Sequence, residues 1–232
     1  MTDVRMSNFQ SIPPVIKNLV ILNALVYFAE EIFGKETVFN LFALHDIRSP
    51  LFKPHQIITH MFLHGDFYHL LFNMLALWMF GSILENLWGQ KRFLIFYVLS
   101  GLGAAFLHLG VLFVELTDVV NNLMTLPPDM LNTRYHAEQV MRLNSPTVGA
   151  SGAVFGCLAA FGYLFPNSLI YLYFFIPMKA KWFVIIYAAI ELWLGVRNSA
   201  GDNVAHWAHL GGALVGFLLV LYWNKRNRRH FY

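Results

Sequence analysis

Apolar residues run through this chain in long stretches broken by short polar interruptions, and their lengths predict its elements. A hydrocarbon core about 30 Å thick takes roughly 20 apolar residues of helix to cross. Six segments approach that length: residues 15–33, 69–88, 92–114, 151–165, 182–196 and 204–223. The fourth is short. Fifteen residues rising about 1.5 Å each reach only about 22 Å, so this helix is expected to start inside the membrane rather than at its face. Pro13 and Pro14 precede the first run, where proline is harmless because the first helical N–H has no partner. No small-residue cleavage site follows that run, so it reads as a span and not as a cleaved signal. The two long connections, 34–68 and 115–148, are too short for separate domains. The expectation is an all-α polytopic membrane helix bundle of six transmembrane helices, one domain over residues 1–232.

Composition agrees and narrows the function classes. Hydrophobic residues make up 57% of the 232 residues and charged residues 12%, against about 25% charged in average soluble domains. A disordered chain and a nucleic-acid partner are excluded on that ground. The single cysteine, Cys157, cannot form an intrachain bridge and sits in an apolar run, where a small packed hydrophobe belongs. Basic residues then set the orientation. With a cytoplasmic N-terminus the inner side carries Arg5, Lys17, Lys91, Arg92, Lys179, Lys181, Lys225, Arg226, Arg228 and Arg229, ten of the sixteen Lys and Arg. Both termini are then cytoplasmic and both long connections extracytoplasmic. Short connections and an N-terminus without transit-peptide character suggest a bacterial inner membrane.

Ionisable and polar groups inside a membrane are costly, so each is read as a functional candidate. Three clusters stand at the outer ends of spans: His60 to Asn73 entering the second, Gly149-Ala150-Ser151-Gly152 opening the fourth, and His206 to Gly212 opening the sixth. Polar groups from three helices can therefore meet at one depth. Ser151 lies between glycines at a helix N-terminus, where unpaired N–H groups and the helix dipole favour a developing negative charge. A serine hydroxyl needs a general base, and His209 shares a helix face with Gly212 and Gly216. Gly152 and Gly156 give the fourth helix a matching small-residue face. If the faces meet, Ser151 and His209 meet too. His69 and Asn73, four residues apart, share a face of the second helix and both can donate to an oxyanion. His60 and His64 read as structural hydrogen-bonding residues, and His206 as an interfacial histidine. Glu191 is a candidate third member by polarity alone, and Glu85 is expected to pin the cytoplasmic end. No acid neighbours His209 in sequence, so a Ser–His pair without metal or other cofactor is the economical reading. The rivals are a metal-dependent enzyme using His60, His64, His69, His206 and His209, and a transporter, which would want a midplane charge pair or an internal repeat.

These residues carry a resemblance. Gly149-Ala150-Ser151-Gly152, the His64-x4-His69-x3-Asn73 run and Ala208-His209-x2-Gly212-x3-Gly216 stand in the order, and on the second, fourth and sixth spans, of the rhomboid family of intramembrane serine proteases. The resemblance covers the membrane core. It implies that Ser151 is the nucleophile and His209 the base, and that His69, Asn73 and the Ser151 N–H stabilise the oxyanion. Gly149, Gly152, His64, Phe155 and Gly212 would support them. It further implies that transmembrane segments of other membrane proteins, single-span ones among them, are the substrates, cut near the extracytoplasmic side. A catalytically silent relative that binds transmembrane helices is the alternative. Two positions depart from the family pattern: His55-Gln56 stands where many relatives carry Trp-Arg, and Phe155 replaces a frequent tyrosine.

Overall fold

The computed structural model describes residues 12–172, 176–197 and 204–227. The first helix, α1 (Pro14–Phe33), starts at the Pro-Pro step, and its leading N–H groups find acceptors on another helix. Val15 and Ile16 donate to the two carboxylate oxygens of Glu85 at 3.0 and 2.9 Å. A carboxylate at a helix N-terminus also meets the positive end of the dipole. The pinning expected of Glu85 thus takes a specific form: it ties the start of the first rod to the end of the second. Replacing Glu85 by alanine should cost about 1–2 kcal/mol, as a lost N-cap does, read as a lower unfolding midpoint in mild detergent. Glu85→Gln, which keeps one acceptor oxygen, should lose less.

The first long connection folds into α2 (Lys35–Phe42), α3 (Gln56–Thr59) and a 3-10 turn over His60–Phe62. Gln56 is fully buried; it accepts from the Lys53 N–H at 3.1 Å and donates to the Leu51 carbonyl at 2.9 Å. His55 donates to the Leu41 carbonyl at 2.8 Å. The His55-Gln56 pair therefore knits this loop through backbone groups. Arg48 grips both Asp46 oxygens at 2.8 and 2.9 Å, reaches the Leu112 carbonyl at 3.1 Å and lies 4.5 Å over the Phe113 ring. Burial pushes the Asp46 carboxyl up, but hydrogen bonds from Arg48 outweigh it and hold the group below its usual range.

The second rod is α4 (Phe67–Ala76), a π-helical turn Leu77–Gly81 and α5 (Ser82–Trp88), continuous over Phe67–Trp88. Asp66 caps it, accepting from the His69 N–H at 2.9 Å. After Gly89, held at φ +80°, comes α6 (Gln90–Glu115). The second long connection forms α7 (Thr117–Thr125) and α8 (Arg134–Leu143), which close a small cluster of Leu116, Val119, Val120 and Leu143. It is joined to the first connection. Leu44 and Thr147 exchange backbone hydrogen bonds at 3.0 and 2.8 Å, and Ser49 donates to Asn144 at 2.7 Å.

At the centre stands α9 (Ser151–Leu164), buried at every position from Gly152 to Gly162. A helix apolar all round, with no preferred face, belongs inside a bundle, and α9 packs against α6 and the π turn as well as the two helices that follow it. It has 14 residues, about 21 Å of rise, as short as expected. A hairpin of β1 (Leu169–Leu172) and β2 (Ile176–Lys179), paired antiparallel with Leu169 opposite Lys179, then leads to α10 (Ala180–Arg197). The last helix is α11 (His206–Asn227). The hairpin is the one departure, among the described residues, from the all-helical expectation.

Three helices are by themselves long and apolar enough to cross a bilayer: Phe67–Trp88, Gln90–Glu115 and His206–Lys225. The other candidates differ for identifiable reasons. α9 is short, while α1 carries Lys17, Glu30 and Glu31, and α10 carries Lys181, Glu191 and Arg197. Glu30 and Glu191 are turned into the bundle, 0% and 4% exposed, while Glu31 stays at the surface and pairs with Lys35 at 3.0 Å. Cys157 is packed in the core, at 0% exposure. Arg5, Arg228 and Arg229 lie outside the described residues.

Candidate functional site

Ser151 is the first residue of α9. The turn before it depends on Gly149, whose φ of +132° is one that L side chains rarely adopt. The Gly149 N–H donates to the His60 carbonyl at 2.9 Å, which assigns His60 a backbone role. The His60 ring bonds the Gln56 carbonyl at 2.9 Å, the structural part expected of it. The first intrahelical bond of α9 runs from Val154 to Ala150 at 3.0 Å. The N–H groups before it are the unpaired donors of a helix start.

The glycine faces of α9 and α11 meet. A side-chain carbon on Gly216 would lie 2.7 Å from Gly156 Cα, and one on Gly212 would strike the Gly152 carbonyl. That approach sets His209 Nε2 2.8 Å from Ser151 Oγ, with His209 8% exposed. The other ring nitrogen, Nδ1, donates to Glu191 Oε2 at 2.9 Å. A carboxylate can only accept there, so the proton sits on Nδ1 and the Nε2 lone pair faces the hydroxyl. Phe155, one turn along from Ser151, stacks on the His209 ring at 4.3 Å with 6° between planes, backed by Tyr187 at 4.8 Å. Its ring thus supports the imidazole by stacking, without a hydroxyl.

His69 stands across the serine turn. Its Nδ1 accepts from the Gly65 N–H at 3.4 Å, which leaves Nε2 as the donor. A side-chain carbon on Gly149 would lie 2.9 Å from His69 Nε2 and 3.3 Å from Ser151 Oγ, so glycine is what lets the imidazole come against the turn. Asn73 is buried and gives one amide N–H to the His69 carbonyl at 2.9 Å. That bond orients the amide along α4, and no hydrogen bond among the described residues ties it to Ser151. His64 is buried with its ring edge-on to His69 at 5.1 Å, and its backbone N–H donates to Glu30 at 3.0 Å. Both of its ring nitrogens lack a hydrogen-bond partner among the described residues, so its ring packs rather than bonding as expected.

Two participants escaped the sequence reading. His108 on α6 bonds Thr147 at 2.8 Å, just before the serine turn, and Glu30 on α1 holds the His64 backbone. Both are ionisable residues inside apolar runs, the signal applied to the other histidines. His206 moves from an interfacial to an interior role: buried, it donates from Nδ1 to the same Glu191 oxygen at 2.7 Å. Glu191, His206 and His209 form the one group of possible metal ligands among the described residues, their ligand atoms within 4.8 Å of one another. The wider five-histidine cluster weighed from sequence does not assemble there. His60 and His64 instead direct their contacts to the loop and to His69.

A bundle of apolar helices with a serine–histidine contact at the start of a central short helix defines a narrow class of protein. The family model of the rhomboid domain matches residues 51–226, and the chain belongs to the rhomboid family. It is 31% identical over 174 residues to rhomboid protein 1, mitochondrial, of Saccharomyces cerevisiae, covering 73% of this chain and 42% of that protein. It is 28% identical over 202 residues to RHOMBOID-like protein 12, mitochondrial, of Arabidopsis thaliana, covering 87% and 56%. It is 30% identical over 178 residues to the putative rhomboid protease YdcA of Bacillus subtilis, covering 75% and 70%. The chain thus spans about half the length of the two mitochondrial relatives.

Proposed function

We propose that this integral membrane protein is an intramembrane serine endopeptidase that cuts transmembrane segments of other membrane proteins. The observation that carries the reading is the 2.8 Å contact between Ser151 Oγ and the unprotonated Nε2 of His209 at the start of α9. In this reading His209 takes the Ser151 proton as Oγ attacks the scissile carbonyl, and returns it to the leaving amine. Water then releases the acyl-enzyme. His69, the Ser151 N–H and the second N–H of Asn73 stabilise the oxyanion. The substrate helix unwinds locally first, because its carbonyls are otherwise hydrogen-bonded. Six membrane crossings, cytoplasmic termini and an active site open to the extracytoplasmic side complete the proposal. The excess of Lys and Arg on the short connections supports that orientation. The proposed setting is a bacterial inner membrane.

A metal-dependent reading has one observation in its favour, the Glu191–His206–His209 group. Ligands about 2.0 Å from a tetrahedral zinc stand roughly 3.3 Å apart. The two nitrogens here lie 2.7 and 2.9 Å from the carboxylate oxygen, the separation of hydrogen bonds. Labelling of the detergent-solubilised protein with a fluorophosphonate is expected to modify Ser151 and to vanish in Ser151→Ala. Undiminished labelling in that variant, or activity lost to a chelator and restored by zinc, would overturn the serine mechanism.

A further inference from the structure

The carboxylate of Glu191 is 4% exposed and lies on α10, a helix carrying neither Ser151 nor His209. A buried carboxylate is costly unless its oxygens are hydrogen-bonded, and here one oxygen collects two imidazole N–H groups, from His206 at 2.7 Å and from His209 at 2.9 Å. His206 and His209 are three residues apart on α11, hence neighbours on one face. The pair clamps a single acid that reaches across from α10.

We propose that Glu191 is a positioning residue of the active site: it completes a Ser151–His209–Glu191 chain and is itself held in place by His206. This rests on the serine–histidine reading above and adds a third member to it. Three consequences follow from the geometry. Glu191 fixes the proton on His209 Nδ1, so Nε2 is the base. It holds the ring plane in register with Phe155 on one side and Ser151 on the other. It also lies beside the imidazolium that forms when His209 takes the hydroxyl proton, and its negative charge stabilises that cation. The acid remains ionised throughout, and the one transferred proton moves from Ser151 to His209 and then to the leaving group. His206 donates a second hydrogen bond to the same carboxylate oxygen.

The test compares Glu191→Gln and Glu191→Asp with the wild-type full chain in detergent and in liposomes. Read out are kcat and KM on a transmembrane reporter, the pH profile of fluorophosphonate labelling, and the thermal midpoint. The groups facing His209 are Ser151 from α9, His69 from α4, His108 from α6, Glu191 from α10 and His206 from α11, with Tyr187 beside Glu191. Only Glu191 is changed. A glutamine amide can donate to Nδ1 and impose the wrong tautomer, so kcat in Glu191→Gln is expected to fall about 10²- to 10⁴-fold with KM little changed, in line with loss of the orienting acid in serine proteases. Removing the carboxylate changes the charge beside the base, so the acidic limb of the labelling profile should shift from its wild-type position. Glu191→Asp, with the charge restored on a shorter arm, should return the limb toward wild type and recover part of kcat. A purely structural acid would lower the thermal midpoint and leave the limb in place. Wild-type kcat and an unmoved limb in a folded Glu191→Gln would overturn the proposal. Should Glu191→Gln fail to fold, Glu191→Asp decides alone: a reduced kcat with KM preserved supports the role, and a wild-type kcat overturns it. Ser151→Ala run in parallel separates the two failures, because labelling that survives there removes the serine reading itself.

Discussion

Truncating His209 to alanine is expected to lower cleavage of a transmembrane reporter on the order of 10⁴-fold or more, with the protein still folded. The ring contributes only part of the packing at the mouth of α11, but it is the sole base in contact with Ser151 Oγ among the described residues. Members of such a unit act together, so His209→Ala and Ser151→Ala should each cost nearly as much as the double variant. The measurement is single-turnover cleavage in liposomes, compared across the two single variants and the double. Additive losses would mean that the two side chains work independently, contrary to the hydrogen bond between them.

Gly212→Ala should have the largest effect on stability. Its added carbon would occupy the position of the Gly152 carbonyl, and backbone cannot rotate away as a side-chain tip can. Overpacking typically costs about 1–3 kcal/mol, and a collision between two helix backbones belongs at the top of that range. Relief requires α9 and α11 to separate, which lengthens the Ser151–His209 contact. A misplacement of about 1 Å can cost on the order of 10²-fold in rate, so activity and thermal midpoint should fall together. Gly110→Ala is the control, since a side-chain carbon there meets nothing within 4 Å. A Gly212→Ala variant as stable as Gly110→Ala would mean that the close approach is not required.

Much of this was legible in the chain because a membrane simplifies the code. Apolar run length gave the rods, and the rarity of polar groups inside them pointed to Ser151, His69, Asn73 and His209 before any fold existed. The Gly152/Gly156 and Gly212/Gly216 spacings were enough to put two helix faces together. Other features were marked less fully, and polarity alone named Glu191 a candidate third member. Glu191 is 18 residues from His209, and its role depends on how α10 is rotated, which a helix apolar on every side leaves open. The α7–α8 pair was hidden because a polar connection of its length suggests a loop, whereas its amphipathic pattern needed a packing partner. The β1–β2 hairpin joined two runs with no sharp turn signal. His108 and Glu30 were readable by the rule that found the others and were passed over.

The fourteen residues of α9 bear on what a cut would leave behind. In the proposed orientation, a rod of about 21 Å in a hydrocarbon slab of about 30 Å, seated level with the inner boundary, would start about 9 Å beneath the outer one. An extended strand advances about 3.3 Å per residue, so an ectodomain severed at that depth departs with a greasy stub of only about three residues. That is too little to retain it on the bilayer, and the severed part would diffuse away rather than linger at the surface.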